Sequence, residues 1–387
     1  MINVLTLFFG IGAPEKALTN LNIDYNLVGF SEIDKFAIKS YTKIHGVPEE
    51  KNFGDINKYA EWDIKEKIDL LVYGFPCQDI SLSGHCKGLF NNDGSLTRSG
   101  LFFKALGVIE KHKPKVAIAE NVKNLTSKKF KEQFEIVLNS LEAAGYNNYW
   151  KILNAADFGI PQNRERVFIV SIRKDVDNGV FKFPDPFPLE HAMKDFLETN
   201  VDDKYYLSPK MIDFISSFGT KSFYYKPEID LDIARPITAS MHKMHRASAD
   251  NYVSDEFIKN GEKQDILVIR TNNKKGFDTA KDGDYINISQ PKSKTRRGRI
   301  GHQIAQTIDT SSSSSHCVVL GNPARIRRLT PIESFALMGF EKNDARKLQA
   351  EKISDTQLYK MAGNSIVVDV LEEIFCQMLD ENNNIMV

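Results

Sequence analysis

The first half of the chain alternates short apolar runs with longer stretches of helical periodicity, and this alternation constrains the fold more than any other feature. Strands are predicted at residues 3–8, 25–30, 68–73, 116–119 and 167–172, and helices at about 35–44 and 128–144. Strands that alternate with helices usually pair in parallel through crossover connections. The sequence therefore predicts an α/β fold with a mostly parallel sheet.

The composition is that of an ordinary globular protein. Of 387 residues, 42% are hydrophobic and 26% are charged, and no apolar run reaches the length of a membrane span. The start of the chain lacks the basic segment of a signal peptide. The four cysteines form no CxxC pair and no cluster with zinc spacing, so we expect reduced thiols in the cytoplasm and no metal.

The character of the chain changes after the last predicted strand. Residues 181–188 hold three prolines, and the segments from there to about residue 322 are short, polar and weakly periodic. Helical patterning returns at about residue 326. We therefore expect a sheet domain at 1–180, a smaller irregular domain at 181–322 and a return to the first domain at 323–387.

Three turns suggest a binding site for a nucleotide-like cofactor. Gly10-Ile11-Gly12 follows the first predicted strand, Ser31-Glu32-Ile33-Asp34 follows the second, and Gly54-Asp55-Ile56 comes later. Acidic side chains at the carboxyl end of a parallel sheet can accept hydrogen bonds from ribose hydroxyls. Two alternatives stay open: the glycines form only a tight turn, or Glu32 and Asp55 offset helix dipoles.

Cys77 follows an apolar run and a proline in LVYGFPCQDIS. Most free cysteines are small buried apolar residues. This segment, however, resembles the catalytic Pro-Cys motif of the DNA cytosine-5 methyltransferases. Further segments resemble that family's motifs in the same order, namely LTLFFGIGA, SEID, GDI, ENV, QNRERVFIV, RRLTPIESFALMGF and AGNSI. The first motif departs from the family's usual Asp-Leu-Phe-Ala-Gly, because Thr6 and Phe9 replace the Asp and the Ala.

The resemblance implies both a fold and a reaction. The fold would be a Rossmann-like domain dependent on S-adenosyl-L-methionine, with a mixed, mostly parallel sheet and a smaller irregular target-recognition domain. The reaction would be sequence-specific transfer of a methyl group to C5 of a flipped-out cytosine in double-stranded DNA, releasing S-adenosyl-L-homocysteine and needing no metal. We further expect a monomer of a bacterial or phage restriction-modification system, associated with the nucleoid, with any cognate restriction endonuclease acting separately.

The same resemblance assigns catalytic roles. The Cys77 thiolate would add to cytosine C6, which makes C5 nucleophilic. Glu120 would bond N3 and the exocyclic amine, Arg166 would hold the base carbonyl, and Arg164 would support it. Taken alone, Glu120 is better interpreted as an acid that caps the next helix. Arg164 and Arg166, taken alone, could equally be a surface pair at a strand entry.

Binding roles are expected for two further sets of residues. Cofactor contacts are expected from Phe8, Gly10, Ile11, Gly12, Glu32, Ile33, Asp55, Ile56, Pro76, Asn364 and Ser365. DNA contacts are expected from Gln78, Ser81, Ser83, Arg296, Arg297, Arg299 and Thr307. The basic segment 291–300 supplies the positive charge that the zero net charge of the chain lacks. Ser365 has a second interpretation, as the N-cap of the helix that follows it.

The same sequence features admit two alternative functions. A transfer-RNA cytosine-5 methyltransferase could use the same scaffold, but some 140 residues of irregular sequence favour a domain that reads duplex DNA. A catalytically inactive DNA-binding paralogue is the other alternative, and the presence of Cys77, Glu120, Arg164 and Arg166 favours an active enzyme over it.

Overall fold

The computed structural model describes residues 1–8, 10–81, 87–215, 219–220, 223–224, 226–261, 268–270, 277–279, 285–287, 299–301, 316–318 and 325–379. The chain divides into two compact units. The first unit contains residues 1–191, 236–239 and 334–387, and the second contains 192–235 and 240–333. The first unit thus runs past residue 180, resumes at 334 rather than 323, and takes in residues 236–239.

A six-stranded sheet forms the centre of the first unit. Its strands are β1 (Ile2–Leu7), β2 (Tyr25–Ser31), β3 (Leu70–Tyr73), β4 (Val116–Val122), β5 (Tyr146–Asn154) and β6 (Glu165–Arg173). They lie in the order β2-β1-β3-β4-β6-β5, with parallel pairing from β2 to β4 and antiparallel pairing of β6 with both neighbours. The predicted mixed, mostly parallel α/β fold is confirmed.

Helices follow the strands as the alternating pattern predicts. The helices of the amino-terminal part are α1 (Ala13–Asn20), α2 (Lys35–His45), α3 (Phe102–His112) and α4 (Lys131–Ala143). Strands β1, β3 and β4 are apolar on both faces, which is typical of parallel strands covered by helices on both sides. These strands hold the core: Val4, Leu5 and Leu70 are completely buried.

Strand β5 and helix α3 are absent from the sequence-based prediction. Strand β5 lies at the edge of the sheet, and polar residues interrupt its sequence YNNYWKILN. Its Trp150 stays 46% exposed. An edge strand with one solvated side shows neither a continuous apolar run nor a clean alternation, and the sequence alone therefore gives it a weak signal.

The second unit is made of short elements, several of which are antiparallel pairs. Its elements are α5 (Pro209–Ile215), β7 (Gly219–Thr220), β8 (Phe223–Tyr224), β9 (Tyr252–Ser254), α6 (Asp255–Asn260), β10 (Val268–Arg270), β11 (Phe277–Thr279), β12 (Tyr285–Asn287), β13 (Arg299–Gly301), β14 (His316–Val318) and β15 (Ile326–Arg328). The buried side chains of Arg327 and Glu333 form an ion pair of 2.7 Å within this unit.

Four helices form the last part of the chain that the structure describes, up to Leu379. They are α7 (Pro331–Ala336), α8 (Lys342–Ala350), α9 (Asp355–Asn364) and α10 (Val368–Leu379). Helix α10 packs against α1, and it begins two residues after the predicted start at residue 366. Among the described residues, no helix is both long enough and apolar enough to span a membrane.

The topology gathers the segments of interest at one edge of the sheet. Strands β1 to β4 run in the same direction, so the residues that follow them lie at a common edge. Strand β6 runs in the opposite direction and therefore starts at that edge, where its Arg166 pairs with Val122 near the end of β4.

Candidate functional site

A cavity of about 360 Å³ lies at this edge of the sheet, within the first unit. Its walls come from the turns after β1, β2 and β3, from β4 and β6, and from helix α9. The lining residues with a predicted role are Phe8, Gly10, Glu32, Ile33, Asp55, Ile56, Pro76, Cys77, Gln78, Glu120, Arg164, Arg166 and Asn364. The volume falls within the range of ordinary small-molecule sites.

Cys77 sits in a turn that main-chain and side-chain hydrogen bonds hold in place. Its carbonyl oxygen accepts from the amides of Ile80 and Ser81 at 3.0 and 2.8 Å. Just before it, the buried amide of Asn121 donates to the carbonyl of Phe75 at 2.9 Å. Strand β4 thus fixes the turn that carries the half-buried thiol.

Glu120 and Arg166 form an ion pair in the cavity. Glu120 Oε1 lies 3.0 Å from Arg166 Nε, and both side chains are mostly buried. Glu120 belongs to strand β4, so the prediction that it follows the strand is wrong. It nevertheless lies at the predicted edge of the sheet, where it lines the cavity. Burial raises the pKa of the Glu120 carboxyl, and Arg166 and Arg164 oppose that rise.

The electrostatics of Cys77 depend on the same three side chains. Burial raises the pKa of the thiol, and the Glu120 carboxylate raises it further, whereas Arg166 and Arg164 lower it. A buried thiol without cations nearby would be inert. The two guanidinium groups are therefore the features of the cavity that favour the reactive thiolate.

Arg164 is bound by main-chain carbonyls rather than by an acid. It is 4% exposed, and its Nη1 donates to the carbonyl of Ile237 at 2.7 Å. Its Nη2 donates to the carbonyls of Gly363 and Ser365 at 3.1 and 2.8 Å. Arg164 therefore joins the start of β6 to the end of α9 while it also lines the cavity.

The glycine turn after β1 has the backbone that the sequence suggested. Gly10 and Gly12 have φ values of 54° and 77°, and Gly12 is the N-cap residue of α1. Phe8 also has a left-handed backbone, with φ 64°, which is unusual for a bulky residue. The Gly10 amide donates to Glu32 Oε2 at 3.1 Å, and this bond ties the turns after β1 and β2 together.

The carboxylates of Glu32 and Asp55, which line the cavity, also accept hydrogen bonds from main-chain amides. Glu32 Oε1 accepts from the amides of Ile33 and Asp34 at 2.7 and 2.9 Å. Asp55 is the N-cap of a short 3-10 helix and accepts from the amide of Asn57. The interpretation of Asp55 as a helix-terminal acid thus holds, and it is compatible with a binding role because Asp55 also lines the cavity.

Thr6 stands where the family usually has Asp, and its side chain is hydrogen-bonded to a second buried polar residue. Thr6 Oγ1 donates to Glu15 Oε1 at 2.8 Å, and both side chains are completely buried. Below the glycine turn, the His45 ring nitrogen Nε2 donates to the carbonyl of Ile11 at 2.9 Å. Phe9, the other departure, lies outside the described residues.

Three residues predicted to bind the cofactor do not line the cavity. Ile11 is completely buried, and Gly12 packs against Tyr41 and His45. Ser365 is 4% exposed, and its hydroxyl donates to the carbonyl of Ile366 at 3.1 Å. Ser365 is also not the N-cap of α10, because it is the C-cap residue of α9 and α10 begins at Val368.

The structure reaches only part of the predicted DNA-contact set. Gln78 lines the cavity, and Ser81 belongs to the Cys77 turn. Arg299 lies in strand β13, of which only the backbone is described. Ser83, Arg296, Arg297 and Thr307 lie outside the described residues.

The sequence analysis identified only Asn364 in the wall of the cavity that helix α9 forms. Helix α9 contributes Gln357, Lys360 and Met361 in addition to Asn364. Their spacing is that of a single helix face. Counting back from Asn364 in steps of three and four would have found these residues, had the helix itself been predicted. Asn57 and Leu101 also line the cavity.

Within the part of the chain that the structure describes, His, Cys, Asp and Glu side chains form no group of three that could hold a metal ion.

Comparisons with known proteins show the family to which the chain belongs. Residues 2–380 match the family model of the C-5 cytosine-specific DNA methylases. The chain is 31% identical to the orphan methyltransferase M.SPRI of Bacillus phage SPR, over 98% of this chain and 97% of that protein. It is 32% identical to the type II methyltransferase M2.ScrFI of Lactococcus lactis subsp. cremoris, over 98% and 99% of the two chains.

A solved structure shares the fold. The Entamoeba histolytica methyltransferase EhMeth superposes with a TM-score of 0.65 at 18% identity, over 99% of both chains. The family model and the phage and bacterial relatives each extend over nearly the whole length of this chain. The chain therefore belongs to the C-5 cytosine-specific DNA methylase family and is a DNA cytosine-5 methyltransferase of the phage and bacterial type.

Proposed function

We propose that this enzyme methylates C5 of a cytosine extruded from duplex DNA, through a covalent bond between the sulfur of Cys77 and C6 of the base. The observation that carries this proposal is the meeting of Cys77, Glu120, Arg164 and Arg166 in one cavity. The 3.0 Å ion pair between Glu120 and Arg166 supports it, because it holds an acid and a cation beside the thiol.

Cytosine C5 is too weak a nucleophile to attack a methyl donor directly. Addition of the Cys77 thiolate to C6 breaks the C5–C6 double bond and leaves an enamine whose C5 carries electron density. After methylation, loss of the C5 proton and departure of the thiolate restore the aromatic ring. Arg166 and Arg164 favour the anionic thiolate that begins this sequence.

Negative charge develops on the base as the thiolate adds, and the cavity offers groups that stabilise it. Glu120, paired with Arg166 as a carboxylate, can take up a proton when the base binds and then donate a hydrogen bond to N3, because burial raises the pKa of its carboxyl. The Arg166 guanidinium provides donors for the base carbonyl O2. Arg164 acts as a support, since its Nη atoms are engaged by three carbonyls.

The rest of the cavity suits the methyl donor, S-adenosyl-L-methionine, which supplies the methyl group and leaves as S-adenosyl-L-homocysteine. Glu32 and Asp55 offer carboxylate oxygens for hydroxyl or amino groups of a nucleoside. Ile33 is 73% exposed, although it is a large apolar residue in the cavity wall. A flat base stacked on Ile33 would cover this side chain.

Extrusion of the base is needed because a stacked cytosine hides its C5 and C6 faces, and it costs a few kcal/mol.

We propose that the irregular segment predicted at residues 181–322 recognises the target sequence. The basic residues Arg296, Arg297 and Arg299 would bind phosphates or guanines there. The monomeric state and a separately acting endonuclease stay predictions.

The covalent step can be tested with duplex DNA that carries 5-fluorocytosine at the target. Fluorine replaces the C5 proton that must leave, so the enzyme stays attached after methyl transfer. We expect wild-type protein to form an adduct that survives denaturing electrophoresis. Cys77→Ala should form none, yet should still bind DNA. Cys376→Ala is the matched control, because Cys376 is exposed and outside the cavity.

The substrate can be tested in a host whose DNA carries no cytosine methylation. Methylation-resolved sequencing of its genome after expression should show one short motif methylated at C5. Unmethylated DNA with methylated transfer RNA would favour the transfer-RNA alternative. An adduct that forms equally with Cys77→Ala would contradict the proposed mechanism.

A further inference from the structure

Helix α9 presents one face to the cavity. Gln357, Lys360, Met361 and Asn364 are spaced by three or four residues, and all four line the cavity. Such a spacing places side chains in a row on one side of a helix. The row therefore carries one positive charge, that of Lys360, between two amides.

Lys360 differs from the other two cations of the cavity. Arg166 is paired with Glu120 at 3.0 Å. Arg164 donates to three main-chain carbonyls. Lys360 is partly buried, and its ammonium has no hydrogen bond or ion pair with any other residue that the structure describes. An ammonium with three donors at the wall of a binding cavity is available for an anionic ligand group.

The Ser365 hydroxyl is not available to bind an anionic group of the cofactor. Ser365 was expected to contact the cofactor, but its hydroxyl is buried and donates to the Ile366 carbonyl at 3.1 Å. In this segment, the polar side chains that reach the cavity are those of Gln357, Lys360 and Asn364.

We propose that Lys360 binds the α-carboxylate of the methyl donor, with Gln357 and Asn364 on either side of it. This inference rests on the proposed function, because it concerns the same cavity. The donor carries two positive groups, its sulfonium and its α-ammonium, and one negative group, its carboxylate. A lysine attracts the carboxylate and repels the other two, so it orients the methionine half of the donor. It also discriminates against adenosine thioethers that lack a carboxylate.

The test compares two ligands that differ only in that group. Calorimetry would measure the Kd of S-adenosyl-L-homocysteine and of its decarboxylated analogue, 5′-deoxy-5′-(3-aminopropylthio)adenosine, without DNA. Lys360→Met should weaken binding of S-adenosyl-L-homocysteine about 10- to 100-fold, as expected for a lost hydrogen bond between charged groups. The Kd of the analogue should stay the same or fall slightly, since its ammonium no longer meets a like charge.

Two variants serve as controls. Lys360→Arg keeps the charge and should recover most of the affinity for S-adenosyl-L-homocysteine. Lys131→Met removes an exposed lysine on α4 that does not line the cavity, and it should change neither Kd. Thermal unfolding of each variant would show whether a loss of affinity comes from a loss of folding.

Several results would overturn the proposal. An equal loss for both ligands in Lys360→Met would show that the lysine shapes the cavity without binding the carboxylate. Unchanged affinity for both ligands, together with weaker DNA binding and a smaller salt dependence, would assign Lys360 to a DNA phosphate. If wild-type protein binds neither ligand, the proposed function itself fails, and this outcome is distinct from the others.

Discussion

Glu120→Gln should make Cys77 more reactive while it makes the enzyme slower. The Glu120 carboxylate raises the pKa of the Cys77 thiol, and Arg166 and Arg164 lower it. Gln keeps the size of the side chain and removes the negative charge, so both guanidinium groups then act on the thiol without an opposing anion. We expect the pKa of Cys77 to fall, because the substitution removes the nearby negative charge that opposes thiolate formation.

The size of the effect on labelling follows from two opposing factors. One pKa unit is a ~10-fold change in thiolate at a pH below the pKa, equivalent to about 1.4 kcal/mol. A less basic thiolate is a weaker nucleophile, with a Brønsted coefficient of about 0.4–0.5, which removes about half of that gain on a logarithmic scale. Alkylation of Cys77 should therefore be faster in Glu120→Gln at pH 7.5, by about three- to fourfold for each unit by which the pKa of the thiol falls.

Methyl transfer should change in the opposite direction. Loss of a positioned acid typically costs a factor of about 10²–10⁴ in rate. The assay is alkylation by iodoacetamide followed by peptide-resolved mass spectrometry, since the chain has four cysteines. The control is Glu165→Gln, which removes an exposed acid paired with Lys123 at 2.7 Å and should change neither rate. Labelling of Cys77 in Glu120→Gln that is equal to or slower than in wild type would refute the electrostatic reasoning.

Two further predictions concern the arginines. Arg164→Met leaves the carbonyls of Ile237, Gly363 and Ser365 without their donor, so it should lower the free energy of unfolding by about 2–4 kcal/mol, measured by urea denaturation; an unchanged urea midpoint would show that water replaces the guanidinium. Replacing Arg296 and Arg297 by Gln should weaken DNA binding and reduce the slope of log K against log salt by about two, and an unchanged slope would remove them from the interface.

The sequence predicts the sheet and most of the cavity because both depend on local signals. Apolar runs mark β1, β3 and β4, and the glycine, acid and Pro-Cys turns that follow strands of a parallel sheet necessarily meet at one edge. The same signals fail for β5, whose polar and aromatic residues suit an edge strand with a solvated side. They place Glu120 after β4, whereas pairing with β6 extends that strand to Val122.

The contacts of Arg164 were beyond the reach of sequence analysis for a different reason. Its acceptors are main-chain carbonyls at residues 237, 363 and 365, and every residue type carries such a carbonyl. No residue pattern therefore marks them. Ser365 shows the converse case, because its hydroxyl looks like a ligand group in the sequence but bonds the neighbouring carbonyl in the fold.

The bond between Thr6 and Glu15 restricts how the first motif can evolve. The two oxygens lie 2.8 Å apart in a completely buried environment, and Glu15 Oε2 has no hydrogen-bond partner among the described residues. Restoring the family's usual Asp at position 6 would place two carboxyl groups within hydrogen-bond distance, where they cannot both ionise. Changing Glu15 alone would leave the Thr6 hydroxyl without its acceptor. A single substitution at either residue is therefore harmful while the other is unchanged, so the pair can be exchanged only by changing both positions together.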